Sequence, residues 1–293
     1  MNRGVVLIAA VLVAGGVFVG WRSVGAHQEQ PLDLRSGELL YVDGGGRVRE
    51  GDRVGPACQR VDAAAGTLAC LRTTAVPDRS ELLVLDSGLR LTEWGTPSRV
   101  RVAPTGHLVG WTVFRTGDGY LGAVGTFSTT AGIYDLVHGI HYGSLEDFKL
   151  VVDGRPHTAA DTNYWGVTFD RDDDTFYATA ASGGKTWLVK GSLATRTLTS
   201  IRGNAECPSL SPDGTRVAYK FRTGDRWRLH VLDLSTGADV PLSEPAHVDD
   251  QAQWLDNAFV AYSREHTVYR VPASGGGAPE VLRQDASSPA VAR

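Results

Sequence analysis

The chain has 293 residues, 42% of them hydrophobic, with a net charge of −4 and a pI near 6.1. That balance is enough for a sizeable core and is not basic enough for a nucleic-acid surface, so nucleic acid is not among the expected partners. Only four of the 29 Lys and Arg are Lys (149, 185, 190 and 220), a compositional bias that carries no functional information.

Residues 1–26 stand apart from the rest. Arg3 precedes an uncharged apolar run from Gly4 to Gly20, followed by Trp21-Arg22 and Val24-Gly25-Ala26. The segment reads as an export signal or membrane anchor, formed as one hydrophobic helix. Val24-Gly25-Ala26 suits cleavage after Ala26, whereas Trp21 suits an interface anchor that is retained. Either outcome places the remainder outside the cytoplasm, secreted or membrane-tethered. Residues 27–35 read as a short polar spacer.

From residue 36 onward short strand-like segments recur. Gly37–Tyr41 is a second strand with no first strand before it. Cys58 and Cys70 then flank a hairpin that turns at Ala64–Gly66, nearly opposite each other, and outside the cytoplasm this favours a disulfide over two reduced thiols. After Trp111 the next equivalent residue, Ala178, is 67 positions on, where neighbouring units need about 41. The excess predicts an extra hairpin at about 138–164 in the third unit, with Asp153-Gly154 as its turn. Such an excursion serves either function or the shielding of an edge.

The clearest unit runs from Glu206 to Leu242. Pro208–Ser211 leads into a Pro-Asp-Gly turn and Arg216–Phe221 leaves it; Arg228–Asp233 and Asp239–Leu242 follow across Thr-Gly-Asp and Ser-Thr-Gly turns. Val217, Tyr219 and Phe221, then Leu229 and Val231, carry the two-residue period of strands. Shifted back 108 residues, Val102–Gly106 falls on Leu210–Gly214; the run Phe114–Asp118 recurs as Phe221–Asp225. Shifts of 149 and 41 align Cys58 with Cys207 and Asp172 with Asp213, and Val260-Ala261-Tyr262 matches Val217-Ala218-Tyr219 at 43. Cys207 has no facing partner because Tyr219 stands where Cys70 would be, and it reads as a small buried apolar residue.

Four strands per 41–43 residues predicts a propeller. Second strands at Tyr41, Cys70, Trp111, Ala178, Tyr219 and Tyr262 give six blades. Ser288–Val291 matches Cys207–Leu210, so the C-terminal strand should complete blade one and close the ring. The expected fold is therefore all-β: a six-bladed propeller of four-stranded antiparallel blades over residues 36–293. The Ser-Pro-Asp-Gly turn before an apolar run resembles the repeat of TolB-like propellers, relatives of the WD-repeat group. That resemblance implies partner docking in the cell envelope; the α/β domain preceding the propeller in TolB is not expected here.

Familiar chemical motifs fail on context. Gly117–Gly122 matches G-x-G-x-x-G without a following helix, and Gly184-Lys185-Thr186 lacks the first glycine of a phosphate loop. Asp170, Asp172 and Asp174 lack the glycine and distal acid of a calcium loop and align with a turn. His138 and His141 are expected on opposite faces of a strand. No G-x-S-x-G occurs. What converges is the channel mouth, where Ala57, Ser98, Trp165, Glu206, Asp249 and Ser287 should gather. Asp161, Asn163, Asp250, Gln251 and Asp285 stand nearby. Several of these are acidic and none is basic, so the mouth reads as a hydrated rim or as a site for a calcium-like ion or a basic peptide. Asp161, Asn163, Trp165, Glu206, Asp249 and Asp250 are the candidate ligand-binding residues. No cofactor is expected apart from such a channel calcium ion. The leading expectation is a monomeric, non-catalytic scaffold presenting this mouth to a protein or peptide of the cell envelope. The alternative is a hydrolase or lyase using the same carboxylates, with or without a metal.

Overall fold

The structure is a computed structural model; it describes residues 31–116 and 127–293, and Leu32–Arg293 form one compact unit. The export segment and Gly117–Gly122 lie outside the described residues, among which no helix is long and apolar enough to cross a membrane.

Six sheets follow one another along the chain. Blade one holds β1 (Leu39–Asp43), β2 (Arg47–Glu50) and β3 (Arg53–Ala57); blade two holds β4 (Arg60–Ala64), β5 (Thr67–Thr73), β6 (Arg79–Val84) and β7 (Leu89–Trp94). Blade three comprises β8 (Thr96–Val102), β9 (Leu108–Thr116), β10 (Phe127–Asp135) and β11 (Ile140–Ser144), and a hairpin follows, β12 (Lys149–Val152) with β13 (Arg155–His157). Blade four is β14 (Asn163–Phe169), β15 (Thr175–Ser182), β16 (Lys185–Ser192) and β17 (Thr197–Gly203). Blade five is β18 (Glu206–Leu210), β19 (Arg216–Thr223), β20 (Arg226–Asp233) and β21 (Asp239–Pro241). Blade six is β22 (Gln253–Trp254), β23 (Phe259–Arg264), β24 (Thr267–Pro272) and β25 (Glu280–Gln284). The last strand, β26 (Ala286–Val291), pairs antiparallel with β1 and supplies the missing inner strand of blade one.

Identical turn chemistry explains why the repeat is visible. At the turn between the first two strands, Asp172, Asp213 and Asp256 occupy equivalent places. Each accepts from main-chain amides two or three residues on: Thr175 N at 2.7 Å, Thr215 N at 3.0 Å and Phe259 N at 2.8 Å. Asp135 and Asp233 do the same after the third strand, taking His138 N at 2.9 Å and Thr236 N at 2.8 Å. Donors from Ser235 and Thr236 pull the Asp233 carboxyl down to about 2.

The core is distributed between blades. Tyr177 and Leu188 of blade four pack on Val217, Tyr219 and Leu232 of blade five; Ala218, Leu229 and Val231 pack on Val260, Tyr262 and Val271 of blade six. Neighbouring blades thus cover both faces of β19, and Val217, Ala218, Tyr219 and Lys220 are all buried. Each large side chain removed from water here contributes about 1.5–3 kcal/mol. The expected alternation describes where apolar residues sit, while burial runs straight through it.

Two expectations need correcting. The extra hairpin exists, but β12 runs parallel to β17 and extends blade four to six strands; blade three keeps four. The spacer is docked where it is described: Leu32 and Leu34 pack against the cluster containing Leu40, Val48 and Val61. Asp33 N donates to Glu50 Oε2 at 2.6 Å.

Cys58 and Cys70 form a disulfide, with Cα atoms 5.6 Å apart and a sequence separation of 12. A loop this short gives a modest entropic gain, so Cys58→Ser with Cys70→Ser is expected to cost about 2–3 kcal/mol in denaturant unfolding. Unchanged unfolding in reductant would show that the bridge contributes nothing.

Candidate functional site at the channel mouth

The inner strands carry register shifts that aim their first residues outward at the mouth. In β14 the shift falls between Trp165 and Thr168, and in β18 between Glu206 and Ser209. Gly166 (φ +68°) and Cys207 (φ +50°) take left-handed backbone there, as does Ser288 (φ +50°) in β26. The freed amides reach the second strand of the preceding blade: Gly166 N donates to Thr112 Oγ1 at 3.2 Å and Cys207 N to Thr179 Oγ1 at 2.8 Å. A Cβ at Gly166 would stand 2.9 Å from Cys207 Cα, so only glycine fits.

Beyond these bulges opens a cavity of about 740 Å³. Asp161, Asn163, Trp165, Glu206 and Asp249 all line it, together with Ser98. Ala57, Ser287 and Asp285 are not part of the lining, and neither is Asp250. Asp250 is buried and accepts from Ser263 N at 2.9 Å and Ser263 Oγ at 2.7 Å, because the stretch before β22 is irregular and turns its side chain into blade six. Gln251 points inward, donating to Pro208 O at 2.7 Å and Val167 O at 3.2 Å.

The expected electrostatics is overturned. Arg60, Arg99, Lys185, Lys220 and Arg222 line the same cavity. The ring positions Ala57, Ser98, Trp165, Glu206, Asp249 and Ser287 are acidic, polar or apolar. The cations enter instead from the early residues of β4 and β8, and from β16 and β19.

Four carboxylates line the cavity; Asp161, Glu206 and Asp249 already have donors, while burial pushes the Glu146 carboxyl up. Asp161 accepts from Ser182 Oγ and Gly183 N, both at 2.7 Å, which hold its carboxyl below the usual range. Glu206 takes the Trp227 indole N–H at 2.9 Å. Burial pushes the Asp249 carboxyl up, but the Lys220 ammonium at 2.6 Å and the Arg99 charge at 3.8 Å more than offset it, leaving it below the usual range. Among the described residues no group of three or more His, Cys, Asp or Glu side chains is placed to hold a metal ion.

Aromatic surface completes the lining. Trp227 lies under Lys220 Nζ at 4.6 Å and under the Arg222 guanidinium at 5.3 Å; Phe114 and Trp165 stand nearby. Cys207 is a buried free thiol, 3.9 Å from Arg99 Nη2. The remaining motif residues are structural. His138 sits in the turn after β10 against Asp135 at 2.8 Å, rather than on a strand, and His141 stacks on Trp111. Gly184-Lys185-Thr186 is the exception: it forms the turn and start of β16 and lines the cavity. Asp174 accepts from Ser192 Oγ and Ala194 N.

No protein-family model and no curated protein matches the sequence. The structure is similar to TolB from Acinetobacter baumannii, with a TM-score of 0.61 at 16% identity over 89% of this chain and 68% of that one. It is similar to a putative TolB from Agrobacterium tumefaciens, with a TM-score of 0.53 at 10% identity over 84% of this chain and 88% of that one. A puromycin-hydrolyzing peptidase of Mycobacterium tuberculosis aligns with a TM-score of 0.51 at 16% identity, over 85% of this chain and only 44% of that one. The chain is a six-bladed β-propeller, and within that class its fold is TolB-like.

Proposed function

We propose that this protein is a non-catalytic binding scaffold outside the cytoplasm, whose channel mouth takes a segment of a protein partner of the cell envelope. The observation that carries this reading is the mouth cavity, where Phe114, Trp165 and Trp227 stand among cations and carboxylates, of which Asp161, Glu206 and Asp249 already have donors. Such a surface suits recognition of a mixed polar and apolar chain. The Cys58–Cys70 disulfide and the apolar run at residues 4–20 support an oxidising compartment, secreted or tethered through the N-terminal segment. The TolB-like fold is in keeping with a docking role.

A hydrolase or lyase working through Glu206 and Asp249 is the competing reading, since both carboxylates face one cavity. Their commitment to Trp227 and Lys220 favours the scaffold. Lys185 and Lys190 are both exposed on β16, and only Lys185 lines the funnel. A photo-crosslinking side chain at Lys185 in the full chain is expected to yield one discrete envelope adduct, while the same group at Lys190 yields none. Equal labelling from both positions, or ester, glycoside or lactone turnover abolished by Glu206→Gln, would reject the scaffold.

A further inference from the structure

Two guanidinium groups stand at the base of the funnel with too few acceptors. Arg60 donates from Nε to Ser98 O at 2.6 Å and from Nη1 to Gln59 O at 3.4 Å. Among the described residues no carboxylate comes within ion-pair distance of it. Arg99, 8% exposed, donates from Nη1 to the same Ser98 O at 2.8 Å and at longer range to Ser98 Oγ at 3.5 Å, and from Nη2 to Cys207 Sγ at 3.9 Å. Its Nη2 is 3.8 Å from an Asp249 oxygen that already accepts from Lys220, and its Nε is buried without an acceptor. Two like charges thus share one main-chain oxygen. Burial and the Arg99 charge both push the Arg60 guanidinium down. In a buried setting, cations arranged this way leave an acceptor position open for an anion.

The funnel is also blind. Arg101 Nη2 reaches Ala252 O at 2.6 Å, and Gln251 bridges Pro208 and Val167, so side chains span the channel between this cavity and a second one at the opposite end. A segment entering here must end or double back. Asp161, Glu206 and Asp249 share the lining, which penalises a dianion such as phosphate more than a monoanion.

We propose that Arg60 and Arg99 form a carboxylate-binding site that receives the C-terminal carboxylate of the partner segment. The planar guanidinium fork matches a carboxylate bidentately, and the half-buried Phe114 and Trp227 rings line the same cavity beside the residues that would precede the terminus. The proposal rests on the funnel being the ligand site, and it adds the chemistry that orients the ligand.

The test is titration of the full chain, followed by calorimetry and by the Trp227 indole N–H resonance. The probes are N-acetyl-alanyl-alanine, its carboxamide, N-acetyl-glutamyl-alaninamide and inorganic phosphate, at matched ionic strength. The free-carboxylate peptide is expected to bind saturably and at least tenfold more tightly than each of the other three. Arg60→Gln should remove that preference at least tenfold, while Arg171→Gln, whose side chain lines the opposite cavity, should leave it intact. Should Arg60→Gln not fold, Arg60→Lys keeps the charge without the fork and is expected to weaken binding by several-fold. Equal binding of the carboxamide or of the glutamyl peptide, tighter binding of phosphate, an unaltered Arg60→Gln, or no saturable shift would each overturn the proposal. A discrete Lys185 adduct alongside any of these results would leave the scaffold reading standing.

Discussion

Deleting Ser287–Arg293 is expected to abolish cooperative unfolding and drive the protein into aggregates. The strand does more than fill an edge. Ala290 pairs with Leu40 and Ser287 with Val42, and Ala290 and Ala292 are fully buried in the cluster that joins blades one and two. Val61 N of β4 donates to Ser288 Oγ at 3.0 Å, and Arg293 Nη2 donates to Trp254 O of blade six at 2.8 Å. One segment therefore ties blade one to both of its neighbours. Without it, β1 becomes an open edge and the clusters on either side face water. Because a domain's net stability is only about 5–15 kcal/mol, loss of that closure should exceed it. Light scattering and thermal melts of the truncated chain provide the check. A monomer with an unchanged single transition would show that the ring closes by other contacts.

The extent to which this architecture can be read from sequence follows from where identical constraints repeat. Asp172, Asp213 and Asp256 each hold one tight turn, so the aspartate and its spacing recur and mark the blades. Tyr41, Trp111, Tyr219 and Tyr262 recur because each fills the gap to an adjacent blade. The extra hairpin was legible through Asp153-Gly154, but its parallel pairing with β17 was not. That pairing joins Lys149 to Thr197, across a separation that no local pattern encodes.

The mouth is legible in the sequence as a place but not as a potential. Five of the six candidate residues line the cavity, yet its cations lie outside the ring positions that the repeat aligns. One signal was available: Arg99 and Arg101 alternate with Val100 and Val102 in an inner strand, so a single face of β8 presents two cations to the axis. Lys220 carried no such signal. It is buried on a second strand only because Asp249, from the next blade, comes to meet it.

Replacing Arg101 by Met is expected to destabilise the protein by about 3–5 kcal/mol at neutral pH, as removal of one partner of a buried ion pair does. Arg101 Nη1 lies 3.5 Å from Asp62 Oδ1, and both side chains are buried in the channel. Asp62 Oδ2 accepts from Val102 N at 2.8 Å, while Oδ1 has no hydrogen-bond partner. Burial pushes the Asp62 carboxyl above its ordinary 3.8; the Arg101 charge, the Val102 and Ala63 amides and the Arg293 charge pull the other way without cancelling it. A carboxyl raised on folding contributes stability that is fully present below its unfolded value and is lost as pH rises through its folded value. Removing Arg101 raises the folded value further, so the penalty of Arg101→Met should be small near pH 4 and grow toward pH 8. Adding Asp62→Asn removes the unpaired charge while keeping an oxygen for Val102 N, and should recover most of the loss. Urea unfolding of wild type, Arg101→Met and the double variant at pH 4 and pH 8 measures both effects. A penalty that does not change with pH, or a double variant no more stable than Arg101→Met, would show that Arg101 acts through its bonds to Ala252 O and Ser209 Oγ and not through the Asp62 charge.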